Sequence, residues 1–302
     1  MSSSNQTILE TTRLETVNLG GPTTPPEESF RLHTLILPPR SRFRLDWSEL
    51  WAYRELLYFF VWRDLKVRYK QTAIGVGWAV IQPLFTMAIF ALVFGRLAKM
   101  PSDGLPYPVF YYTALLPWTY FAGALTHATN SVVEHQSMVT KVYFPRVLLP
   151  VSAVLSGLAD FALAFSVLIG LVLVYGIVPT AAILLWPLFL LLAVATALAV
   201  SLWLSALNAL YRDVRYAVPF LVQLWLFASP VAYPAALVPP DWRWLYGLNP
   251  MAGVIDGFRW SLTGHGQSPG LLVLASTVAV ICLLVGGLMY FQRVEGTMAD
   301  RV

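Results

Sequence analysis

Across 302 residues the chain is 57% hydrophobic and 12% charged, against about 25% charged in soluble domains, and carries a net charge of +4. That balance excludes an ordinary water-soluble fold, whose helices need a polar face along their whole length. One cysteine, Cys282, excludes an intrachain disulfide.

Residues 1–45 differ from everything that follows. Ser2-Ser3-Ser4 and the Gly20 to Glu28 stretch, rich in Gly, Pro and Thr, are too poor in apolar side chains to fold alone. They read as a largely disordered cytoplasmic tail, although Phe30 to Leu37 has the composition of a short strand that pairs elsewhere. There is no apolar h-region, so the segment does not read as a signal peptide.

A helix is predicted over 46–72, opened by Asp46 with Glu49 three residues on, an approximate capping box. At 100° per residue Trp47, Trp51, Tyr58, Val61, Trp62, Leu65 and Tyr69 share a face, while Glu49, Arg63, Lys66 and Lys70 lie opposite. This is the pattern of an amphipathic helix lying in a membrane interface. A soluble helix packed on a partner is the alternative, because Arg54 interrupts the stripe and Leu56 to Phe60 is apolar all round.

From 73 to 302 the chain reads as an all-α membrane domain. Ala73 to Gly95 has no charged residue and follows the cation cluster Arg63 to Lys70, which marks the cytoplasmic end of a first span. Six transmembrane helices are predicted, at 73–95, 107–128, 147–175, 180–207, 215–234 and 270–291, each near the ~20 residues that cross the hydrocarbon. Gly176-Ile177-Val178-Pro179-Thr180 divides the long charge-free run between the third and fourth spans. The stretch 239–262 is broken by Pro239-Pro240 and Asn249-Pro250, and reads as an outer re-entrant helical segment before the last span. Cations concentrate at one side (Arg63, Lys66, Arg68, Lys70, Lys141, Arg146, Arg212, Arg215, Arg293), which predicts that both termini are cytoplasmic. The same asymmetry accounts for the positive charge without nucleic acid.

Asp160 is the acid that lies well inside a predicted span. An ionisable group there is a functional candidate by default. Three readings stand: a bond to a neighbouring helix or a wet interface, a contact to a substrate hydroxyl, and proton coupling.

The run Leu57 to Thr72, with Arg63-Asp64-Leu65-Lys66-Val67-Arg68-Tyr69-Lys70-Gln71, continues into Gly75-Val76-Gly77-Trp78-Ala79-Val80-Ile81-Gln82-Pro83-Leu84. Lys141-Val142-Tyr143-Phe144-Pro145-Arg146, Asn208 to Tyr216 and Leu248-Asn249-Pro250-Met251 follow in order. Together they resemble the permease subunit of ABC-2 type polysaccharide exporters, the family of O-antigen, teichoic acid and capsule exporters. The resemblance covers residues 46–302 and says nothing of the longer tail.

The resemblance implies a multi-pass protein of the cytoplasmic (inner) membrane that pairs with a second copy around a channel. It implies two copies of an ABC ATP-binding subunit as partners, and a lipid-linked polysaccharide as cargo, with membrane lipids around the domain. Trp51, Tyr58, Trp62, Arg63 and Lys66 then fall on an entrance helix, and Glu134, His135, Lys141, Arg212 and Asp213 on surfaces that couple to the ATPase. Sugar rings stack on aromatic faces, so Trp78, Phe85, Tyr112, Trp118, Trp225 and Phe227, with Gln82 as a polar contact, are the candidate channel lining. An interfacial aromatic belt explains the same residue types.

No Gly-x-x-x-x-Gly-Lys-Ser/Thr run occurs, so ATP and its Mg are expected on the separate subunit and no cofactor on this chain. His33, His127, His135 and His265 lack metal-ligand spacing. An ABC-2 permease for another amphiphile, a lipid or a drug, is the alternative function. A membrane-embedded enzyme of glycan assembly is a further one, for which no catalytic His/Asp/Glu constellation is visible.

Overall fold

The charge-free runs fold into long helices, because backbone groups without water must bond within their own segment. In the computed structural model, residues 47–70, 76–178, 180–266 and 270–301 are described. The expected tail at 1–45, the cap at Asp46 and the junction at 71–75 lie outside the described residues. Among the described residues there is no strand.

Helices α1 (Trp47–Ala52) and α2 (Arg54–Lys70) are followed by α3 (Val76–Phe90), which passes through Pro83 and continues as a π-helical turn, Ala91–Leu97. Helix α4 (Tyr107–Glu134) leads through the short α5 (Gln136–Val139) to α6 (Leu148–Val174). Gly176, at φ +64°, turns the chain as expected. A 3₁₀ turn, Ala181–Leu185, then feeds α7 (Trp186–Leu210), with Pro187 in its first turn. Next come α8 (Val214–Ala228), two 3₁₀ turns, the short α9 (Arg243–Gly247), α10 (Pro250–Thr263) and α11 (Leu271–Arg301).

Four helical stretches are long and apolar enough to cross a membrane: Gly77–Leu97, Leu148–Val174, Ala181–Leu210 and Leu271–Gly296. Val214–Ala228 is apolar but shorter. Helix α4 has the length, about 42 Å at 1.5 Å per residue, but not that apolarity. The reason is its place. It packs on α3, α6, α7, α8 and α10 and is buried along most of its length. A helix surrounded by protein can carry Thr, Tyr and Gly where a lipid-facing one carries aliphatics.

The larger core follows from this. Phe110, Tyr111, Tyr112, Leu115 and Phe121 of α4 meet Phe161 of α6, Phe189 of α7 and Phe258 of α10. A second core closes one end of the bundle, where Phe60 of α2 packs with Phe144, Leu202 and Phe291. Asn208 near the end of α7 donates to Thr129 O at 2.9 Å near the end of α4. The loops after α4 and α7 therefore share that end.

Helices α1 and α2 differ from the expected single amphipathic helix over 46–72. Helix α2 is offset from α1 at Tyr53 and packs along α6. Phe60 meets Phe144 edge-to-face at 5.7 Å, and Arg68 and Tyr69, two turns on, meet Asp160. The expected aromatic face divides accordingly. Trp51, Tyr58 and Trp62 point outward, at 71%, 71% and 56% exposure, while Tyr69 turns inward to a protein carboxylate.

Candidate functional site

Between α2, α3, α4 and α6 lies a cavity of about 960 Å³. Its polar side is built by Arg68, Tyr69, Gln82, His127 and Asp160. Its apolar side is aromatic: Trp78 from α3, Trp118 and Tyr120 from α4, and Phe161 from α6. Pro83 and Gly157 sit in the same wall. A Cβ at Gly157 would come within 3.2 Å of the Tyr120 ring, so the glycine lets α6 approach α4. Tyr120 is fixed from both sides, by its hydroxyl donating to Val154 O at 3.2 Å and by its edge-to-face contact with Phe161.

Asp160 stands about 18 Å along α6 from Leu148. It forms an ion pair with Arg68 through one oxygen and accepts the Tyr69 hydroxyl through the other. Partial burial, followed by the bond to Asp160, pushes the Tyr69 hydroxyl up to about 12, so it remains a donor at neutral pH. Of the three sequence readings, the geometry supplies the first, a bond between neighbouring helices. The partners lie 91 and 92 residues away, so no local pattern pairs them. The cation cluster at 63–70 was the signal in the sequence.

The candidate channel residues fall into separate environments. Trp78, Gln82 and Trp118 line the cavity together. Phe85 is on α3 but points outward, 68% exposed, as does Phe227 on α8. Tyr112 is fully buried and donates to Ala164 O at 2.9 Å, a packing position. Trp225 borders a separate apolar groove with Leu125, Val200, Leu204 and Val218. Its indole N–H donates to Asn249 Oδ1 at 2.9 Å.

On α2, Arg63 is bonded to Asp64 at 2.8 Å and lies over the Phe60 ring, whereas Lys66 is exposed. Glu134 ends α4 exposed, and His135 Nδ1 is 2.7 Å from Ser131 O. Lys141, Arg212 and Asp213 are exposed in the two loops at the same end. The Arg146 backbone N–H donates to Glu295 Oε1 at 2.8 Å, tying the start of α6 to α11.

At the opposite end, Asn249 organises the broken segment. Its Oδ1 accepts from Met251 N at 3.1 Å, and its Nδ2 donates to Ala228 O at 3.0 Å. Asn followed by Pro at the first helical position is a helix-start signature that was legible in Asn249-Pro250. Arg259, in the broken segment, is buried. It donates to Pro230 O at 2.9 Å, pairs with Asp256 at 3.5 Å and stacks 3.8 Å over Phe110. Apart from Asp256 on its own helix, its partners Pro230 and Phe110 come from distant parts of the chain, so no local pattern turns this arginine inward.

A family profile described as ABC-2 type transporter matches residues 55–263. The chain is 30% identical over 251 residues to the O-antigen export system permease protein RfbA of Myxococcus xanthus, covering 82% of this chain and 95% of that protein. The protein of the same name from Klebsiella pneumoniae is 29% identical over 250 residues, 82% of this chain and 94% of its own length. The polysialic acid transport protein KpsM of Escherichia coli is 20% identical over 249 residues, 79% and 93% of the two chains. With the matched region running from α2 to the end of α10, the chain belongs to the ABC-2 type transporter family.

Proposed function

We propose that this protein is the permease subunit of an ATP-driven exporter that moves a lipid-linked polysaccharide outward across the cytoplasmic membrane. The observation that carries the reading is the likeness to O-antigen export permeases over 95% of their length. In this reading α3, α4, α6, α7, α8 and α11 are six spans, and 46–72 is an entrance helix ahead of the 73–302 permease domain. The broken segment between α8 and α11 is re-entrant from the outside, and both termini are cytoplasmic.

Two copies form the channel. Each docks an ABC ATP-binding subunit at the loops carrying Glu134, His135, Lys141, Arg212 and Asp213, and ATP with its Mg is held by that subunit. Trp78, Gln82 and Trp118 give the glycan a flat stacking surface and a polar contact in the cavity. Phe85 and Phe227, exposed in one protomer, face the central path, and Tyr112 and Trp225 hold the wall behind it. A polymer that slides needs many weak contacts rather than one tight pocket, and stacked rings supply them.

The test is reconstitution with the ATP-binding subunit in proteoliposomes. ATP hydrolysis stimulated by a lipid-linked glycan, with the glycan appearing on the far side, is expected. Stimulation by a lipid or drug and none by the glycan would overturn the polysaccharide reading.

A further inference from the structure

The last two turns of α2 form one wall of the cavity. Arg68 and Tyr69 line it, and both are bound to Asp160 on α6. Their neighbours Lys66, Val67 and Lys70 are exposed, so this stretch holds to the body through the pair that faces Asp160. The other end of α2 is anchored differently, by Phe60 fully buried in the cytoplasmic-end core against Phe144. One end of α2 is thus fixed by apolar packing, while at the other the Arg68 and Tyr69 side-chain bonds both go to one carboxylate.

These two kinds of attachment respond differently to load. Close packing at Phe60 is lost only by opening a core. A partly exposed ion pair and one hydroxyl bond can be exchanged for water or for another anion with much less disruption. The carboxylate has each oxygen committed, one to the guanidinium and one to the phenol. It has no basic partner on α6 itself, whose residues from Leu148 to Val174 include no Lys or Arg. Asp160 therefore serves the α2–α6 contact and nothing within its own helix.

Resting on the permease reading, we propose that Asp160 is a positioning residue, which through Arg68 and Tyr69 latches the C-terminal end of α2 against α6 and holds that wall of the cavity closed. Release of the latch swings the end of α2 about its Phe60 anchor and widens the cavity on the α2 side. The cavity of about 960 Å³ is open past the exposed Trp78 and Gln82, and the widening lets a bulkier ligand pass them to the buried Trp118. The carboxylate acts through the position of α2, not by touching the cargo.

The experiment uses the full chain in lipid nanodiscs, with Cys282→Ser and a nitroxide on Val67→Cys, a position that is exposed beside the latch. Asp160→Asn and Arg68→Gln should each sharpen the spectrum by raising label mobility, and Tyr69→Phe should do so less. Asp160→Glu should retain the restricted spectrum. The exchanged pair Arg68→Asp with Asp160→Arg should recover it, which a merely structural loss would not do. In the complex with its ATP-binding subunit, the two mobile variants should hydrolyse ATP several-fold faster without cargo and export less per ATP.

Unchanged mobility in Asp160→Asn with an intact thermal transition overturns the latch. So does an exchanged pair as mobile as the single variants. Lost export with a normal label spectrum would mean that the carboxylate touches cargo or carries a proton, and overturns it too. If Asp160→Asn fails to fold, Arg68→Gln reads the same contact from the other side. The label measurement needs neither ATP nor glycan, so the latch can fail while the permease reading stands. Wild-type protein that binds no ATP-binding subunit would sink the permease reading and leave the mobility result intact.

Discussion

Tyr112 and Trp118 are six residues apart on α4 and do different things. Tyr112 is enclosed, its hydroxyl donating to Ala164 O at 2.9 Å, while Trp118 lines the cavity. Tyr112→Phe removes the donor but keeps the ring. A net hydrogen bond is worth about 1 kcal/mol, so the variant should melt a few degrees lower in detergent. Trp118→Ala should instead lower glycan export by an order of magnitude, and Trp118→Leu should restore volume without restoring rate, because an aliphatic chain offers no flat face to a sugar. Full export by Trp118→Leu in the proteoliposome assay would show that the ring is packing alone. The aromatic residues themselves were visible in the sequence. Which of them line a cavity was not, since ring type is the same for lining, packing and a lipid belt.

Among the elements, α10 is the most tightly set. Gly253 lies against Ser276 of α11, whose hydroxyl accepts from Gly253 N at 3.2 Å and donates to Gly247 O at 3.0 Å. At Gly257 an added Cβ would fall 2.0 Å from the Phe189 ring. Gly257→Val should therefore destabilise by about 1–3 kcal/mol through overpacking, read as a lower unfolding midpoint of the purified protein. Phe189→Ala combined with it should recover part of the loss; no recovery would place the strain elsewhere. Helices α1 and α2 make the contrasting case. Replacing Trp51, Tyr58 and Trp62 together with Ala removes exposed rings and no core contact. The triple variant should keep its thermal midpoint yet lose interfacial anchoring, so that a spin label on the exposed Glu55→Cys, with Cys282→Ser, shifts from headgroup depth toward water. Aqueous exposure already present in the wild type would rule out the interfacial placement.

At the scale of the molecule, exposed Glu134, Lys141, Arg212 and Asp213 gather on loops at one end. Charge reversal there changes the proposed docking surface and leaves the apolar helices untouched. Glu134→Arg should insert and melt normally but capture the ATP-binding subunit at least several-fold more weakly in a pull-down. Equal capture would remove Glu134 from that surface. The purified chain alone should show no ATP turnover above background, and appreciable turnover would contradict a permease dependent on a separate motor.

The sequence by itself determined that the chain is helical and that its long apolar helices belong in a membrane. Long charge-free runs without the alternation of barrel strands are satisfied as helices, and prolines at 239, 240 and 250 interrupt the segment before α11. It also carried the family, because the motifs near 63, 82, 146, 212 and 249 keep their order along the chain. The tertiary structure alone decided which helix is central, and why α4 is long but less apolar than the others. It alone gave Asp160 its partners on α2, hid Arg259 beneath Phe110 and sent Tyr112 into the core while Trp78 faced a cavity. The physical reason is common to all of them. Helix formation in hydrocarbon is enforced locally by backbone hydrogen bonding, whereas the direction in which a side chain finds its partner depends on elements that meet only when the chain is folded.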